Sequence, residues 1–319
     1  MRRAPAPAAE SDAALPGSNA RARDERVIGD AGLADRARAY FALTKPRIIE
    51  LLLVTTVPAM IVAQRGWPPL DLIVWTLIGG ALAAGGANAI NCYVDRDIDS
   101  IMGRTRQRPL PMHRVAPVNA LIFGTALGVS SFGLLWAAVN LMSAFLALAA
   151  LLFYVFVYTI ALKRTTPQNI VIGGAAGAVP VLVGWSAVTG TIEPPALALF
   201  GIIFYWTPPH FWALSMRYEA DYAAAGVPMM PVVYGRAETA RHILLYSLLL
   251  LAMCLVFFSV ARMGFIYLGA ALVLNGLFVA GAFRLRQAPG TERAWGLFRY
   301  SIFYLALLFA AMAADQLIA

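Results

Sequence analysis

The sequence has 319 residues, of which 60% are apolar and only 13% carry a charged side chain. Soluble domains contain roughly 45–50% apolar and about 25% charged residues, so this composition excludes an ordinary water-soluble globular protein. Two cysteines exclude a disulfide-stabilised scaffold. The net charge of +8 is explained below by orientation in a lipid bilayer, so no nucleic acid partner is expected.

The chain divides into a polar beginning and a long apolar remainder. Residues 1–40 are rich in Ala, Pro and charged side chains, and we interpret them as a mobile cytoplasmic tail. Residues 41–319 are predicted to form a single transmembrane domain. Acidic residues such as Glu10 and Asp24 argue against a mitochondrial transit peptide, which favours a bacterial inner (plasma) membrane.

Long apolar runs separated by short polar breaks follow the tail. A bilayer core of about 30 Å needs about 20 apolar residues per helix. The runs are continuously apolar, whereas strands of a membrane barrel would alternate. We therefore predict an all-α, polytopic membrane protein with nine transmembrane helices, at residues 48–65, 72–92, 117–138, 141–162, 169–189, 196–215, 241–261, 264–283 and 297–317.

The distribution of Lys and Arg predicts the orientation of these helices. Of the 25 basic residues, all but Arg65 and Arg262 lie in the N-terminal part or in alternate connections. By the positive-inside rule, the N-terminus and the basic connections are cytoplasmic. Nine spans then place the C-terminus on the periplasmic side.

A group of acidic and amide side chains follows the second predicted span. With about 100° per residue, Asn88, Asn91, Asp95 and Asp99 share an arc of about 80° on a helix, and Asp97 points to the opposite side. Two carboxylates about 6 Å apart along the axis, with no Cys or His nearby, favour Mg²⁺ as the metal. The alternative is that these acids pair with arginines of the following loop, namely Arg96, Arg104 or Arg106.

Basic residues beside the acidic group indicate a phosphate ligand. Arg104, Arg106 and Arg108 follow the acids directly, and guanidinium groups bind phosphate oxygens in pairs. Lys163 and Arg164, at another cytoplasmic helix end, are either a second cationic clamp or an anchor that fixes topology. This combination of Mg²⁺ ligands and arginines predicts a diphosphate site.

A second cytoplasmic site is predicted at the end of the sixth span. Pro208 and Pro209 should interrupt the helical hydrogen bonds and so line a cavity. This break would place His210 near the cavity, and Asp221 is a further candidate metal ligand across the site. Aromatic side chains here either bind substrate or form an interfacial belt: Tyr205, Trp206, Phe211 and Trp212.

Six motifs in order resemble the UbiA-type intramembrane prenyltransferases, and within them the branch that acts on haem. The resemblance covers about residues 40–317. The motifs are Leu43-Thr-Lys-Pro-Arg47, Asn91-xxx-Asp95-xxx-Asp99, Met102-x-Arg104-Thr-xx-Arg108-Pro-Leu-Pro111, Leu162-Lys-Arg-Thr-xx-Gln-Asn169, Pro209-His-Phe-Trp-Ala-Leu214, and Asp221-Tyr222 with Gly226-Val-Pro228-Met-Met-Pro231.

The resemblance implies nine helices around a central cavity, Mg²⁺, and transfer of the farnesyl group of farnesyl diphosphate to a vinyl group of haem B. Haem B is then a substrate, and a haem A synthase is an expected partner. With haem as substrate, His210 is either a ligand of the iron, a group that orients the propionates, or a polar group satisfied at the break in the sixth span. The candidate metal ligands are Asn91, Asp95, Asp99 and Asp221. The candidate catalytic residues are Asn91, Asp95, Asp99, Arg104, Arg108 and Lys163. The candidate substrate-binding residues are Lys45, Arg47, Asn88, Tyr205, Trp206, His210, Phe211, Trp212, Tyr218 and Tyr222.

The second acidic motif departs from the pattern of quinone-type members. Arg217 and Ala225 stand four residues before and after Asp221, where a fuller motif carries aspartates. This departure favours the haem branch over a quinone- or chlorophyll-type prenyltransferase. A secondary transporter is the alternative from another class, although its site would be expected near the membrane midplane.

Overall fold

The computed structural model describes residues 32–318, except for the side chains of residues 47, 48 and 50–53. The described chain is helical, with short turns between the helices. These are α1 (Leu33–Leu43), α2 (Pro46–Gln64), α3 (Leu70–Val94), α4 (Arg96–Ile101), α5 (Pro117–Ala138), α6 (Leu141–Leu152), a π-helical segment (Phe153–Leu162), α7 (Asn169–Thr189), α8 (Pro194–Arg217), α9 (Glu219–Ala224), α10 (Met230–Val260), α11 (Phe265–Gln287) and α12 (Thr291–Ile318).

The transmembrane prediction is confirmed for the part of the chain that the structure describes. Eight helical stretches are long and apolar enough to cross a bilayer, and α6 with the π-helical segment counts as one of them. The ninth is α2, whose apolar section is described from Val54 to Gln64. Helix α10 begins well before the predicted residue 241, because a polar first part precedes its apolar run. Gly235, with φ of 75°, interrupts that first part.

The helices surround a central space. Neighbours in sequence pack side by side from α5 through α8, and α8 packs on α10 and on α12. The ring closes because α12 and α7 both contact α2. Helices α3 and α5 make the most extensive contact, where Gly86 and Gly124 face each other so closely that a Cβ on Gly86 would lie 2.6 Å from the Gly124 carbonyl oxygen.

Two expectations need correction. Residues 33–40, assigned to the mobile tail, belong to α1, whose Ala39 and Leu43 are buried; residues 1–31 lie outside the described residues. Helix α8 also continues through Pro208 and Pro209 to Arg217. Proline removes a backbone donor, but the neighbouring turns keep the helical path here.

Candidate functional site

The two predicted acidic residues lie at a joint between helices. Helix α3 ends at Val94, Asp95 forms the joint, and Asp99 lies one turn into α4. Both carboxylates are buried, with 0% exposure for Asp95 and 2% for Asp99. Neither pairs with Arg96, Arg104 or Arg106. Asp95 Oδ2 lies 2.5 Å from Lys163 Nζ, whereas Asp99 does pair with an arginine of the following loop, because it accepts hydrogen bonds of 2.7 and 2.9 Å from Arg108.

The π-helical segment places Lys163 against Asp95. The Lys163 backbone N–H donates to the Tyr158 carbonyl, five residues back, and the Thr159 hydroxyl donates to the Tyr154 carbonyl. Wider turns of this kind are often found at functional sites. Here they bring Lys163 to Asp95 and the Thr159 hydroxyl to the side-chain amide of Asn91, 3.1 Å away.

Lys45 adds a third cation to the same group. It occupies a left-handed conformation (φ 54°) at the start of α2, and its Nζ donates to Asn91 Oδ1 at 2.6 Å. The Asn91 amide donates in turn to Asp95 Oδ2 at 2.7 Å, and Asn88 donates to the Thr44 carbonyl. Burial lowers the pKa of Lys45 from 10.5 to about 8.

We name the two carboxylates, together with the residues bonded to them directly or through Asn91, the acidic cluster. Its members are Lys45, Asn91, Asp95, Asp99, Arg108 and Lys163. Its three cations face two carboxylates, so it carries about one net positive charge when Lys45 is protonated. A diphosphate ester with about three negative charges, bound together with one divalent cation, would balance it. The cluster is therefore suited to an anion that carries its own metal.

Asp97 lies outside this cluster, as its predicted position on the opposite side of the helix requires. Its side chain is 60% exposed and forms a two-pronged ion pair with Arg164, with both distances at 2.7 Å. This hydrogen-bonded pair lowers the pKa of Asp97 to about 2. Arg164 also approaches Asp95 Oδ1, at 3.6 Å.

The predicted residues of the second acidic motif join two segments at the same end of the bundle as the acidic cluster. Asp221 Oδ2 accepts a hydrogen bond of 3.3 Å from the backbone N–H of Arg104. The Arg104 guanidinium donates to the hydroxyl of Tyr222, which is buried, and lies 5.3 Å from the centre of the Tyr218 ring. These contacts hold the segment after α4 against α9.

The aromatic residues of α8 divide between two faces of that helix. Phe211 lines the central cavity, whereas Trp206 stacks on His210 and faces α12. Tyr205 and Trp212 contact Tyr246 of α10 and are not brought to the cavity. The side chain of Arg47 lies outside the described residues.

An apolar cavity of about 290 Å³ adjoins the acidic cluster. Its wall includes Asn88, Tyr154, Tyr158, Thr207 and Phe211, so one end of the cavity lies one helical turn from Asn91 and Thr159. The sequence reasoning missed Tyr154 and Tyr158. The signal was two aromatic residues four positions apart, which share one face of a helix, but which face points to the cavity depends on how the helices pack. Gly173 of α7 leaves the room that the Tyr158 ring occupies.

The donor atoms of the acidic cluster fit a divalent metal that shares its coordination with a ligand. Asp95 Oδ1 is a buried oxygen with no hydrogen-bond partner among the described residues. Asn91, Asp99 and Asp221 already accept hydrogen bonds, so they would have to exchange partners to bind a metal. Within residues 32–318, no three His, Cys, Asp or Glu side chains gather around one point, so further ligands must come from substrate oxygens or water.

Comparison with known proteins identifies relatives of high identity. Residues 52–308 match the UbiA prenyltransferase family. A protein named protoheme IX farnesyltransferase from Parafrankia sp. (strain EAN1pec) is 57% identical over 290 residues, which cover 89% of this chain and 92% of that protein. A protein of the same name from Gloeobacter violaceus is 55% identical over 279 residues, covering 87% and 92%.

Two solved structures share the fold at low identity. A digeranylgeranylglyceryl phosphate synthase superposes with a TM-score of 0.74, at 18% identity and with 89% of this chain and 99% of that chain covered. A UbiA homologue from Archaeoglobus fulgidus, solved with DMAPP and Mg²⁺, superposes with a TM-score of 0.60, also at 18% identity and with 86% and 98% covered. At this identity the likeness shows the fold alone.

Proposed function

Because the chain belongs to the UbiA prenyltransferase family, we propose that it transfers the farnesyl group of farnesyl diphosphate to a vinyl group of haem B. The observation that carries the proposal is the identity of 57% to a relative named protoheme IX farnesyltransferase, over almost nine-tenths of this chain. The acidic cluster beside an apolar cavity supports a prenyl diphosphate as the donor substrate.

The reaction balances without an oxidant or a reductant. The bond between the first farnesyl carbon and the diphosphate oxygen breaks, and that carbon joins the outer carbon of the vinyl group. Water adds to the inner vinyl carbon and releases a proton. The products are haem O, which carries a hydroxyethylfarnesyl group, and diphosphate.

In this proposal Asp95 and Asp99 would hold Mg²⁺, and Asn91 orients Asp95 through its amide. Bound Mg²⁺ supplies positive charge that stabilises the departing diphosphate. Lys163, Arg108 and Lys45, which now contact the carboxylates and Asn91, turn toward the diphosphate oxygens when substrate binds. Hydrogen bonds between charged groups are the stronger kind, so this exchange favours the departing anion.

The cavity then receives the farnesyl chain with its reactive end toward Tyr154 and Tyr158. Its apolar wall keeps water from the carbon that becomes positively charged, and the two aromatic rings stabilise that charge. Arg104 and Tyr222 hold the cytoplasmic segments over the diphosphate end.

We place the protein in the bacterial inner membrane, with its N-terminus in the cytoplasm and its C-terminus in the periplasm. The distribution of Lys and Arg supports this orientation. The acidic cluster then faces the cytoplasm. A haem A synthase, which would consume the haem O formed, is the proposed partner.

Purified full-length protein in lipid nanodiscs tests the function. We expect haem B, farnesyl diphosphate and Mg²⁺ to yield a haem whose mass is increased by one farnesyl group and one hydroxyl group. Chelation by EDTA should abolish the product, and added Mg²⁺ should restore it. Prenylation of a quinone-ring precursor but not of haem would contradict the proposed acceptor. Transport of an unchanged substrate without diphosphate release would contradict the enzyme class.

A further inference from the structure

A second group of polar and aromatic side chains lies between α8 and α12, apart from the acidic cluster. The His210 ring is held between Trp206, with ring centres 4.3 Å apart, and Phe298, at 4.8 Å. Its Nδ1 lies 2.6 Å from Ser301 Oγ. Trp206 is itself fixed, because its Nε1 donates to the Ser301 carbonyl at 3.0 Å. The imidazole is thus restrained on both faces and at one nitrogen.

The hydrogen bonds around Ser301 determine which nitrogen of His210 carries the proton. Ser301 Oγ lies 2.6 Å from the Phe298 carbonyl oxygen, and two oxygens this close need a proton between them. The hydroxyl has one proton, which is then used, so toward His210 it can only accept. The proton therefore lies on Nδ1 of the neutral imidazole, and Nε2 keeps its lone pair.

The free nitrogen has no hydrogen bond among the described residues, and the His210 side chain is partly exposed. A neutral imidazole nitrogen with its lone pair available is a common ligand of iron and other metals. The other nitrogen is usually held by a second group, which fixes the ring and the tautomer. Ser301 supplies that second contact here.

The neighbours of His210 suit a flat apolar ring that carries carboxylates. Phe298 stacks on Trp295, with ring centres 5.1 Å apart, and the exposed guanidinium of Arg217 lies 4.6 Å from the Trp295 ring centre. These side chains therefore form one row, from an imidazole through two stacked aromatic rings to a cation. A porphyrin combines an iron atom, an apolar ring and acidic side groups, for which the imidazole, the edges of the aromatic rings and the guanidinium are matching partners.

We infer that Ser301 is a positioning residue that holds His210 in the tautomer whose Nε2 ligates the iron of the haem acceptor. This inference rests on the proposed function, because haem is the acceptor substrate in that proposal. It assigns the acceptor to the neighbourhood of His210, where α8 meets α12, while the diphosphate binds at the acidic cluster.

The other two histidines serve as controls. His242 of α10 lies with Nδ1 3.0 Å from the Glu238 carbonyl, on its own helix, and packs against Trp212. His113 lies in the cytoplasmic segment that precedes α5. The chain has three histidines in total, so a histidine ligand to iron can be assigned by three single variants.

The experiment is a titration of ferric haem into the full-length protein in nanodiscs, read by Soret absorption and electron paramagnetic resonance. We expect H210A to lose the signature of histidine ligation, and added imidazole to restore it. H242A and H113A should keep the wild-type spectrum. S301A should weaken haem binding by about 10- to 100-fold with an altered spectrum, and S301T, which keeps the hydroxyl, should restore both.

An H210A spectrum identical to that of the wild type would overturn the inference, as would loss of the signature in H242A or H113A. Unchanged haem affinity and spectrum in S301A would overturn the role of Ser301. The proposed function is read separately, by farnesylation of haem in the wild-type preparation. Farnesylation with an unchanged H210A spectrum refutes only the ligation, and an intact signature without farnesylation refutes only the function.

Discussion

Asp95 and Asp97 are two residues apart and carry the same side chain, yet their surroundings differ completely. Asp95 is buried against Lys163, and one of its oxygens has no hydrogen-bond partner among the described residues. Asp97 is exposed and paired with Arg164. Burial of a charge is costly unless it is paired or binds a ligand, so Asp95 is the one expected to act on substrate.

The pair gives a matched test of the acidic cluster. We expect D95N to lower the rate of haem farnesylation by about 100-fold or more, because a ligand for charge stabilisation is lost. D97N should stay within about threefold of the wild type, because an exposed ion pair contributes little. The measurement is the initial rate of haem O formation at saturating farnesyl diphosphate. Equal rates for D95N and the wild type would remove Asp95 from the proposed mechanism.

Lys45 predicts a dependence on pH. Because burial lowers its pKa to about 8, it is charged below that pH and neutral above it. We expect the affinity for farnesyl diphosphate to fall by about tenfold between about pH 7 and pH 9, as a charge-assisted hydrogen bond is lost. K45R stays charged throughout this range, so its affinity should not fall. An equally steep fall in K45R would assign the titration to another group.

At the scale of single elements, the π-helical segment determines the position of Lys163. An α-helix turns about 100° per residue, so one residue more or fewer before Lys163 would rotate its side chain away from Asp95. The segment also faces Tyr154 and Tyr158 toward the cavity while Ile160 remains exposed on the outside. This short segment, with the residue that follows it, therefore supplies three parts of the site: the Lys163 cation, the Thr159 hydroxyl and the aromatic wall of the cavity.

Deletion of Ile160 should therefore impair catalysis without preventing membrane insertion. We expect at least about a tenfold loss of haem farnesylation, because the Lys163–Asp95 contact cannot form in the shortened register. The substitution I160A changes the same exposed position but keeps the register, and it should retain activity. Near-normal activity of the deletion variant would show that the π-helical geometry is not required.

The contact between α3 and α5 depends on small residues. A Cβ on Gly124 would lie 2.7 Å from Ile90 Cγ1 and 2.9 Å from the Gly86 carbonyl oxygen, whereas a Cβ on Gly133 of the same helix would meet no atom within 4 Å. We expect G124A to cost about 1–3 kcal/mol of stability through overpacking. G133A should be neutral or slightly stabilising. Thermal unfolding of both variants in detergent measures the difference, and equal midpoints would contradict close packing at Gly124.

At the scale of the whole molecule, one end of the bundle carries the groups that bind charge. The acidic cluster, the basic segments and the hydrogen bond between Arg104 and Asp221 all lie at this end, which is the proposed cytoplasmic face. Water-soluble diphosphate esters would reach this end directly, while their apolar chains enter the cavity within the helices. The orientation of the molecule therefore determines which compartment supplies the substrate.

Cysteine labelling tests that orientation, and the natural cysteines give little background because Cys92 and Cys254 are both buried. Gln107 and Thr191 are exposed at opposite ends of the bundle. A membrane-impermeant maleimide added to spheroplasts should label T191C in intact cells, and Q107C only after lysis. Labelling of Q107C from outside would reverse the proposed topology.

The amino-acid sequence by itself determined the class of protein, the spans and the shared face of the acidic and amide side chains that follow the second span. These properties depend on local composition and on helical periodicity, which places Asn91, Asp95 and Asp99 on one side and Asp97 on the other. The continuous path of α8 through Pro208 and Pro209 was not predictable in this way, because neighbouring helices can support a turn that lacks a donor.

Only the tertiary structure decided which charges meet. Lys163 is 68 residues from Asp95, Lys45 is 46 residues from Asn91, and Ser301 is 91 residues from His210. Such pairs depend on the rotation and depth at which packed helices meet, and no local pattern in the sequence encodes either quantity. For the same reason, the contact between Asp221 and the backbone of Arg104 could not be predicted from the sequence.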